Sequence, residues 1–371
     1  MHKVIIFTEY FTPAFLAGGP PKSASNIIKF MKDKINFEIY TSNYDLRNIN
    51  KLKVINNHPL KFLNKNKVIY NSTIRYFFNF NKLNILKARS FYLNSFFSIK
   101  WCLLPLLIAI LYKKKVIISP RGQFHKSSIN QKTIKKKLFI FCFNFFLNKN
   151  ICFHVTDKNE YLQIKKYYKK INIKIIPNFF FSNNNKIHEK KNKQFVFIGR
   201  ITKKKNLLFF LTSLKKYRIE NLTLDMFGPI EDLNYWNECK KIIDILNKNN
   251  NKISYQRPLN YKEINKVLSK YNFFVLPSTS ENFSLTTAEA ISNKCIPIVT
   301  KNSPWKSIED TNCGIRFNPN SEKEIFLSIK KAINMKKKQK IAFQNRCINL
   351  IKKIKNQNML LKEQYFKLLL N

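Results

Sequence analysis

Short runs of β-branched and aromatic residues alternate along the chain with longer segments of helical periodicity. This alternation is typical of parallel β-sheets whose strands are joined by crossover helices, and it predicts an α/β fold. The length of 371 residues favours two such units rather than one. The predicted strands are Val4–Phe7, Phe37–Thr41, Asn84–Lys87, Val116–Ser119, Ile151–Val155, Ile173–Ile176, Phe195–Ile198, Leu222–Phe227, Ile253–Tyr255, Phe273–Leu276, Ile296–Val299 and Ile315–Phe317.

A polar stretch without periodicity, residues 181–193, separates two series of predicted strands. We therefore predict a Rossmann-like domain over residues 1–180, a linker over 181–193 and a second Rossmann-like domain over 194–352. Residues 353–371 are predicted to form an amphipathic helix that packs back on the first domain. Because open parallel sheets bind ligands outside the carboxyl ends of their strands, we expect the functional residues in a cleft where the two domains face each other.

The high positive charge of the chain indicates an acidic partner but does not identify it. There are 68 basic and 21 acidic residues, which gives a formal net charge of +47. Such a charge attracts nucleic acid, anionic lipid or a phosphorylated substrate, or it reflects lysine-rich solvated faces. The seven cysteines form no CxxC pair, which favours reduced thiols in a cytosolic protein. The first residues are predicted to be a buried strand rather than a signal peptide, and the apolar run Trp101–Tyr112 is too short to span a bilayer.

Glycine is scarce, with six residues in the whole chain, so each one indicates a positive φ or a close approach of the backbone to a ligand. The adjacent pair Gly18 and Gly19 follows the first strand, either as a turn before a helix starting near Pro21 or as a loop over a ligand. Because two adjacent glycines are so rare in this chain, we favour the ligand loop.

The block Phe273–Thr300 contains a buried strand, a polar loop with Glu281, a helix beginning near Ser284 or Leu285, and Glu289 about one turn inside that helix. Free backbone N–H groups and the positive end of the helix form a suitable site for a diphosphate. The two carboxylates can accept hydrogen bonds from hydroxyl groups. The alternative is an ordinary strand–loop–helix unit with acidic residues near a helix amino terminus.

A second motif, GRITKKKN, directly follows the predicted strand ending at Ile198. Gly199 lets the backbone turn under a ligand, Arg200 offers a planar fork for phosphate oxygens, and Lys205 offers a point charge. These cations would neutralise a departing diphosphate. Lys203 and Lys204 are interpreted as part of an ordinary basic turn.

Further segments accompany these two motifs in a characteristic order. They are TPAFLAGGPPKS (Thr12–Ser23), ISPRGQF (Ile118–Phe124), HVTDKNEY (His154–Tyr161), IPN (Ile176–Asn178), DMFGP (Asp225–Pro229) and SPW (Ser303–Trp305). With them the chain resembles, over nearly its whole length, a retaining glycosyltransferase of the GT-B type from the group 1 family of bacterial surface-polysaccharide enzymes.

The resemblance implies a role for each matching residue. Glu281 would contact the donor sugar, Glu289 the nucleotide ribose, and Arg200 and Lys205, after Gly199, the donor phosphates. Main-chain contacts would come from Asn282, Phe283, Ser284 and Leu285, and the Gly18–Gly19 loop would lie over the diphosphate. The candidate catalytic residues are Arg121, Arg200, Lys205 and Glu281.

The chain departs from the family pattern at several positions. Glycine is common in the family where this chain has Ser284 and near Lys294, and Asn293 is a residue that can take the left-handed conformation at that helix end. Many relatives carry a histidine at or near Arg121. Arg121 with Gly122 is favoured as the native arrangement, with His125 as the alternative that faces the cleft.

No metal and no cofactor is predicted. Asp225 and Glu231 flank a turn and lack the spacing of a metal-binding acidic pair, and in GT-B enzymes basic residues and a helix dipole replace a divalent ion. His154 is expected to pack in or beside a strand rather than to act in chemistry.

The segment Lys126–Asn150 combines a basic first half with an apolar, aromatic second half. It is either a helix that lies on an anionic membrane or a core helix, and the almost all-round apolar second half favours the core helix. The total charge still favours an anionic membrane surface as a partner.

The resemblance implies transfer of a sugar from a UDP- or GDP-sugar to a growing, lipid-linked surface glycan, with retention of configuration. The enzyme would be cytoplasmic and peripheral on the inner face of the cell membrane, with no nucleic-acid partner. The alternatives are a GT-B nucleotide-sugar epimerase, a non-catalytic polyanion-binding protein and a catalytically inactive relative that acts as a partner subunit.

Overall fold

The structure, a computed structural model, describes residues 2–46, 51–63, 65–71, 82–129, 133–181 and 193–370. The chain forms two compact units, Met1–Phe179 with Asn358–Asn371, and Phe180–Gln357. Each unit is built on one twisted sheet that is parallel or almost entirely parallel. The prediction of an α/β fold with two Rossmann-like sheets is confirmed.

The first unit has eight strands in the order β3-β4-β2-β1-β5-β6-β7-β8, and only β3 runs antiparallel to its neighbour. A π-helical turn at Ile99–Leu103 leads into α3, and a 3₁₀ turn at Asn144–Phe146 follows α5. The elements are β1 (His2–Thr8), α1 (Gly19–Met31), β2 (Ile35–Ser42), β3 (Pro59–Phe62), β4 (Asn66–Asn71), α2 (Lys82–Lys87), β5 (Ala88–Leu93), α3 (Leu104–Leu111), β6 (Lys115–Ile118), α4 (Lys126–Ile129), α5 (Thr133–Phe143), β7 (Ile151–Val155), α6 (Lys158–Lys165) and β8 (Asn172–Ile175).

The second unit has six strands in the order β11-β10-β9-β12-β13-β14, and all of its strand pairs are parallel. This order is that of a doubly wound sheet, in which the chain direction across the sheet reverses between β9 and β12. The elements are β9 (Lys193–Ile198), α7 (Leu207–Lys216), β10 (Thr223–Phe227), α8 (Leu233–Asn247), β11 (Lys252–Tyr255), α9 (Tyr261–Leu268), β12 (Tyr271–Leu276), α10 (Leu285–Ser292), β13 (Ile296–Thr300), α11 (Ser307–Asp310), β14 (Ile315–Phe317), α12 (Glu322–Ile333) and α13 (Lys337–Leu370).

One predicted strand is wrong. The segment Asn84–Lys87 lies in α2, and the strand follows it as β5, Ala88–Leu93. Pairing decides this, because Val4–Phe7 of β1 aligns with Ser90–Leu93 and gives those residues a buried central position in the sheet. The short strands β3 and β4 were not predicted from the sequence.

The carboxyl-terminal helix is longer than predicted. Helix α13 is continuous from Lys337 to Leu370, and its residues from Asn358 onward belong to the first unit. There Tyr365, Leu368 and Leu369 are buried in a cluster with residues of β1 and β2. The predicted linker over residues 181–193 lies mostly outside the described residues.

Helix α5 differs from the predicted core helix. Its inward side buries Ile140 and Phe143, but Ile134, Leu138, Phe141 and the following Phe145 are 61 to 84% exposed. The core interpretation of this segment is therefore wrong for one face, because the apolar residues exceed what the neighbouring core covers. Across the described residues, we find no helix with the length and apolar character needed to cross a bilayer.

Candidate functional site

The loops after β9 and β12 lie side by side, because these strands are neighbours in the sheet. Lys205 lies in a 3₁₀ turn after β9, and Glu281 lies in the loop after β12. The Lys205 Nζ atom is 2.5 Å from Glu281 Oε1, and the two side chains are 16% and 9% exposed. The structure thus brings together two of the predicted site residues at the carboxyl ends of the strands.

The Glu281 carboxyl is held in its charged form. Burial alone raises its pKa, but the attraction of Lys205 and Lys204 and the Lys205 hydrogen bond outweigh burial, and the pKa falls below its ordinary value of 4.5. At neutral pH the group is therefore an acceptor of hydrogen bonds. It can accept from an ammonium group or from the hydroxyls of a ligand.

Backbone contacts fix the loop that carries Glu281. The Thr279 N–H donates to the Lys204 carbonyl at 3.0 Å, which ties the loop to the turn of Lys205. The Trp305 indole Nε1 donates to the Phe283 carbonyl at 2.6 Å, and Trp305 is buried. The SPW segment therefore supports the loop, a role that the motif alone does not indicate.

Arg200 has a carboxylate partner of its own. Its Nη1 lies 2.7 Å from Glu231 Oε1 in the loop after β10, and its side chain is 39% exposed. Sequence reasoning considered Glu231 only in a pair with Asp225, as a metal-site alternative. The structure instead pairs it with a predicted phosphate-binding residue and leaves the guanidinium partly accessible.

Two glycines allow the close approach of the loops after β9 and β10. At Gly228, which has a φ of +143°, an added Cβ would lie 1.9 Å from the Gly199 carbonyl oxygen. At Gly199 an added Cβ would lie 3.1 Å from Phe197 Cζ and 3.5 Å from Lys205 Cε. The bare backbone at Gly199 therefore avoids crowding the Phe197 ring, whereas the distance to Lys205 is an ordinary van der Waals contact.

Helix α10 begins at Leu285 and carries Glu289, which is 2% exposed. Ser284, at the N-cap, has a left-handed backbone with a φ of +54°. At the other end the left-handed residue is Lys294, with a φ of +55°, whereas Asn293 has a φ of −93°. Asn293, which can take that conformation, does not do so here: its side chain donates to the Glu289 carbonyl, and the left-handed residue is the next one.

The remaining predicted loop residues lie between Glu281 and the start of α10. Asn282 and Phe283 are half-buried, and the Phe283 ring lies against the Trp305 ring at a centroid distance of 5.5 Å. The hydroxyls of Ser284 and the buried Thr287 are 2.8 Å apart.

In the described part of the chain, His, Cys, Asp and Glu side chains form no group of three or more that could hold a metal ion.

The Gly18–Gly19 pair belongs to the first unit, where Gly18 is the N-cap of α1 and Gly19 its first residue. Gly18 has a φ of +77°, and a Cβ added to Gly19 would meet no protein atom within 4 Å. The Asp45 carboxylate, after β2, accepts from the N–H groups of Phe15, Leu16 and Ala17 at 3.0 to 3.3 Å. Sequence reasoning missed Asp45, although β1 and β2 are neighbours and bring the two loops together.

Arg121 is fixed by neutral acceptors in the first unit. Its Nε donates to Asn94 Oδ1 at 2.6 Å, its Nη1 to Asn178 Oδ1 at 2.7 Å and its Nη2 to the Tyr92 hydroxyl at 2.9 Å. Its backbone is left-handed, with a φ of +56°. None of these three contacts neutralises the guanidinium, which can still attract an anion.

The residues beside Arg121 form a second buried group. The Glu160 carboxylate accepts from the Gly122 N–H and, at 3.3 Å, from the Thr156 N–H. Burial raises the pKa of Glu160 to about 6, against the opposing effect of the Gly122 hydrogen bond. His125 is buried, and His154 lies in β7 with no exposed surface, as predicted for His154.

A family comparison matches the second unit. Residues 178–349 fit the family model described as glycosyl transferases group 1. This match shows what residues 178–349 are similar to, and it spans less than half of the chain. It contains Gly199, Arg200, Lys205, Glu281 and Glu289, whereas Gly18, Gly19 and Arg121 lie outside the matched residues. A comparison with curated protein sequences finds no match.

Solved structures resemble the whole chain, both units included. An Anabaena HepE structure in complex with UDP-glucose has a TM-score of 0.74 and 14% identity, covering 99% of this chain and 100% of that one. Sucrose-phosphate synthase from Thermosynechococcus elongatus has a TM-score of 0.70 and 12% identity, covering 99% and 100%. WaaG, a glycosyltransferase involved in lipopolysaccharide biosynthesis, has a TM-score of 0.64 and 12% identity, covering 99% of each chain. The chain therefore has a GT-B fold with two Rossmann-like sheets.

Proposed function

We propose that this protein transfers a sugar from a nucleotide-diphosphate sugar, a UDP- or GDP-sugar, to a growing lipid-linked surface glycan with retention of configuration. The observation that carries the proposal is the Lys205–Glu281 pair at the point where the strand order of the six-stranded sheet reverses. Open sheets bind ligands there, outside the carboxyl ends of the strands. The HepE structure in complex with UDP-glucose supports a donor of this class.

In this proposal the donor separates the two members of the pair. The diphosphate takes the Lys205 ammonium, with the accessible Arg200 guanidinium beside β10 as a second contact. The freed Glu281 carboxylate, charged at neutral pH, accepts hydrogen bonds from the sugar hydroxyls. Glu289, inside the first turns of α10, binds the ribose, and the N–H groups from Asn282 to Leu285 face the phosphates at the positive end of that helix.

Catalysis would follow from charge stabilisation at the leaving diphosphate. Negative charge develops on the bridging oxygen as the sugar departs, and fixed cations stabilise that charge without reorganising. Lys205 and Arg200 supply these cations, so we expect turnover to persist in EDTA. In the first unit we keep Gly19 and Arg121 as proposed ligand contacts; a Cβ added to Gly19 would meet no described atom within 4 Å.

The proposal includes a peripheral position on the cytoplasmic face of the membrane. Its support is the exposed stripe on and after α5, formed by Ile134, Leu138, Phe141 and Phe145, which lies next to the exposed Lys135 and Lys137. Apolar side chains would enter the acyl boundary while lysines contact anionic headgroups. An enzyme held there would reach a lipid-linked acceptor.

A screen of nucleotide sugars for thermal stabilisation tests the donor class. We expect one UDP- or GDP-sugar to raise the melting temperature of the wild type and to fail with Lys205→Met and with Glu289→Gln. Lys203→Met is the matched control, because Lys203 is exposed in the same turn and should keep the response. If no nucleotide sugar stabilises the wild type, or if Lys203→Met loses the response as fully as Lys205→Met, the proposed donor site is wrong.

A further inference from the structure

We propose that a cavity in the first unit, separate from the donor site, binds a ligand with two or more phosphate groups. The cavity has a volume of about 750 Å³, within the range of small-molecule sites. Six basic side chains line it: Arg89, Lys113, Lys115, Lys149, Lys174 and Lys367. Its lining contains no aspartate or glutamate among the described residues.

The cavity lies at the amino-terminal ends of parallel strands. Lys115 is the first residue of β6, Lys149 precedes β7, and Arg89 is the second residue of β5. The Gly18–Gly19 loop and Arg121 instead follow the carboxyl ends of β1 and β6. The two sets of residues are therefore at opposite ends of the strands of one sheet, so the cavity is not part of the donor site predicted from the sequence.

Two of the cations are already placed by the end of α13. Lys115 Nζ donates to the Leu368 carbonyl at 2.6 Å, and Arg89 Nε donates to the Leu370 carbonyl at 2.9 Å. Capping a helix carboxyl terminus with cations accounts for these two residues. It does not account for the lysines at 113, 149, 174 and 367, whose side chains form no ion pair or hydrogen bond with any described residue.

The positive charges around this cavity repel one another, and a bound anion would reduce that repulsion. Burial lowers the pKa of Lys115, and the nearby Arg89 and Lys174 lower it further, against the opposing effect of Cys152. A multiply charged phosphate ligand would neutralise several of these cations at once. The planar fork of Arg89 matches phosphate oxygens in hydrogen-bonding geometry, and the lysines offer point charges to them.

Two sources could supply this chemistry, a free polyphosphate compound or the phosphate headgroup of a lipid. We would titrate the full-length protein with inorganic triphosphate by calorimetry at physiological salt, and in parallel measure cosedimentation with phosphatidylcholine vesicles containing phosphatidic acid. The test variant is Lys149→Gln/Lys174→Gln. The control is Lys240→Gln/Lys241→Gln, which removes the same charge from the exposed side of α8.

Triphosphate binding that weakens about tenfold or more in the test variant, but not in the control, supports a free ligand. Vesicle binding that falls in the same selective way without triphosphate binding supports a lipid headgroup. If both variants behave alike, or if neither probe binds the wild type, the proposal is overturned. Thermal stabilisation by the nucleotide sugar tests the donor site separately, and it should be unchanged in Lys149→Gln/Lys174→Gln.

Discussion

The Tyr92 hydroxyl lies 2.7 Å from Nδ1 of His154, in the interior of the first unit. The other ring nitrogen, Nε2, is 2.9 Å from the Ile176 carbonyl oxygen, which can only accept. His154 Nε2 therefore carries the hydrogen, Nδ1 accepts from Tyr92, and the Tyr92 oxygen accepts from Arg121. A chain of hydrogen bonds thus joins a candidate catalytic arginine to the strand core, and it requires neutral histidine.

Acidification should destabilise the protein through His154. Burial and the charge of Arg121 lower the pKa of His154 from 6.5 to about 3. Below pH 6.5 the unfolded state therefore binds a proton at this histidine, and the folded state does not. The free energy of unfolding then falls as the pH falls, with a slope of about 0.7 kcal/mol per pH unit at pH 6.5 that approaches about 1.4 kcal/mol per pH unit near pH 5. Urea unfolding between pH 6.5 and 5 should show this dependence in the wild type relative to His154→Gln.

The comparison with a variant is needed because Glu160, whose pKa is raised to about 6, acts in the opposite direction over the same range. Protonation of Glu160 stabilises the folded state as the pH falls. His58→Gln, at an exposed position, is the matched control and should retain the wild-type slope. Equal slopes for wild type and His154→Gln would show that His154 is not held neutral.

The Lys205–Glu281 pair should be energetically coupled. Both side chains are largely shielded from water, so their attraction is weakly screened, and we expect a coupling free energy of about 1–3 kcal/mol. Urea unfolding of Lys205→Met, Glu281→Gln and the double variant measures it. The exposed pair Lys301–Glu324, at 49% and 42% exposure, is the control and should couple by less than about 1 kcal/mol. If the changes in the free energy of unfolding at Lys205 and Glu281 were additive, the two residues would not be energetically coupled.

Lys294→Gly should stabilise the protein. Lys294 has a left-handed backbone directly after α10, a conformation that costs an ordinary residue about 1–2 kcal/mol and glycine much less. The net gain should be about 1 kcal/mol in the free energy of unfolding. Asn293→Gly is a demanding control, because Asn293 has a negative φ and its side chain bonds Glu289 and Asn265, so this change should destabilise. Opposite signs from adjacent residues would be hard to explain otherwise.

The sequence predicts the sheets well because their central strands are continuous apolar runs, buried on both faces. It misplaces the strand near Asn84 because a short apolar run there forms α2, while pairing with β1 places the strand at Ala88–Leu93. Local propensity cannot reveal such pairing. Strand β3, at the edge of the sheet, and its neighbour β4 are not predicted because their short segments, PLKF and NKVIYN, lack the longer apolar runs of the central strands.

The candidate site is predicted in its residues but not in its contacts. The motifs predict separate roles for Lys205 and Glu281. The two residues are 76 positions apart in the sequence, and they come into contact because β9 and β12 are neighbours in the sheet. The Arg200–Glu231 pair likewise depends on the neighbours β9 and β10. Strand order is a property of the whole sheet, so individual motifs show which residues carry chemistry and the topology shows which of them touch.

The exposed stripe of α5 should control membrane binding. Leu138 and Phe141 would each bury their side chains in the acyl boundary, a contribution of about 1.5–3 kcal/mol per side chain on full burial. We expect Leu138→Glu/Phe141→Glu to reduce partitioning onto anionic vesicles by about tenfold or more, while unfolding and nucleotide-sugar stabilisation stay as in the wild type. Leu327→Glu, at a 49% exposed position on α12, is the control and should bind like the wild type. Cosedimentation with vesicles at two salt concentrations separates the apolar from the electrostatic part, and unchanged binding of the double variant would mean that this stripe does not contact the bilayer.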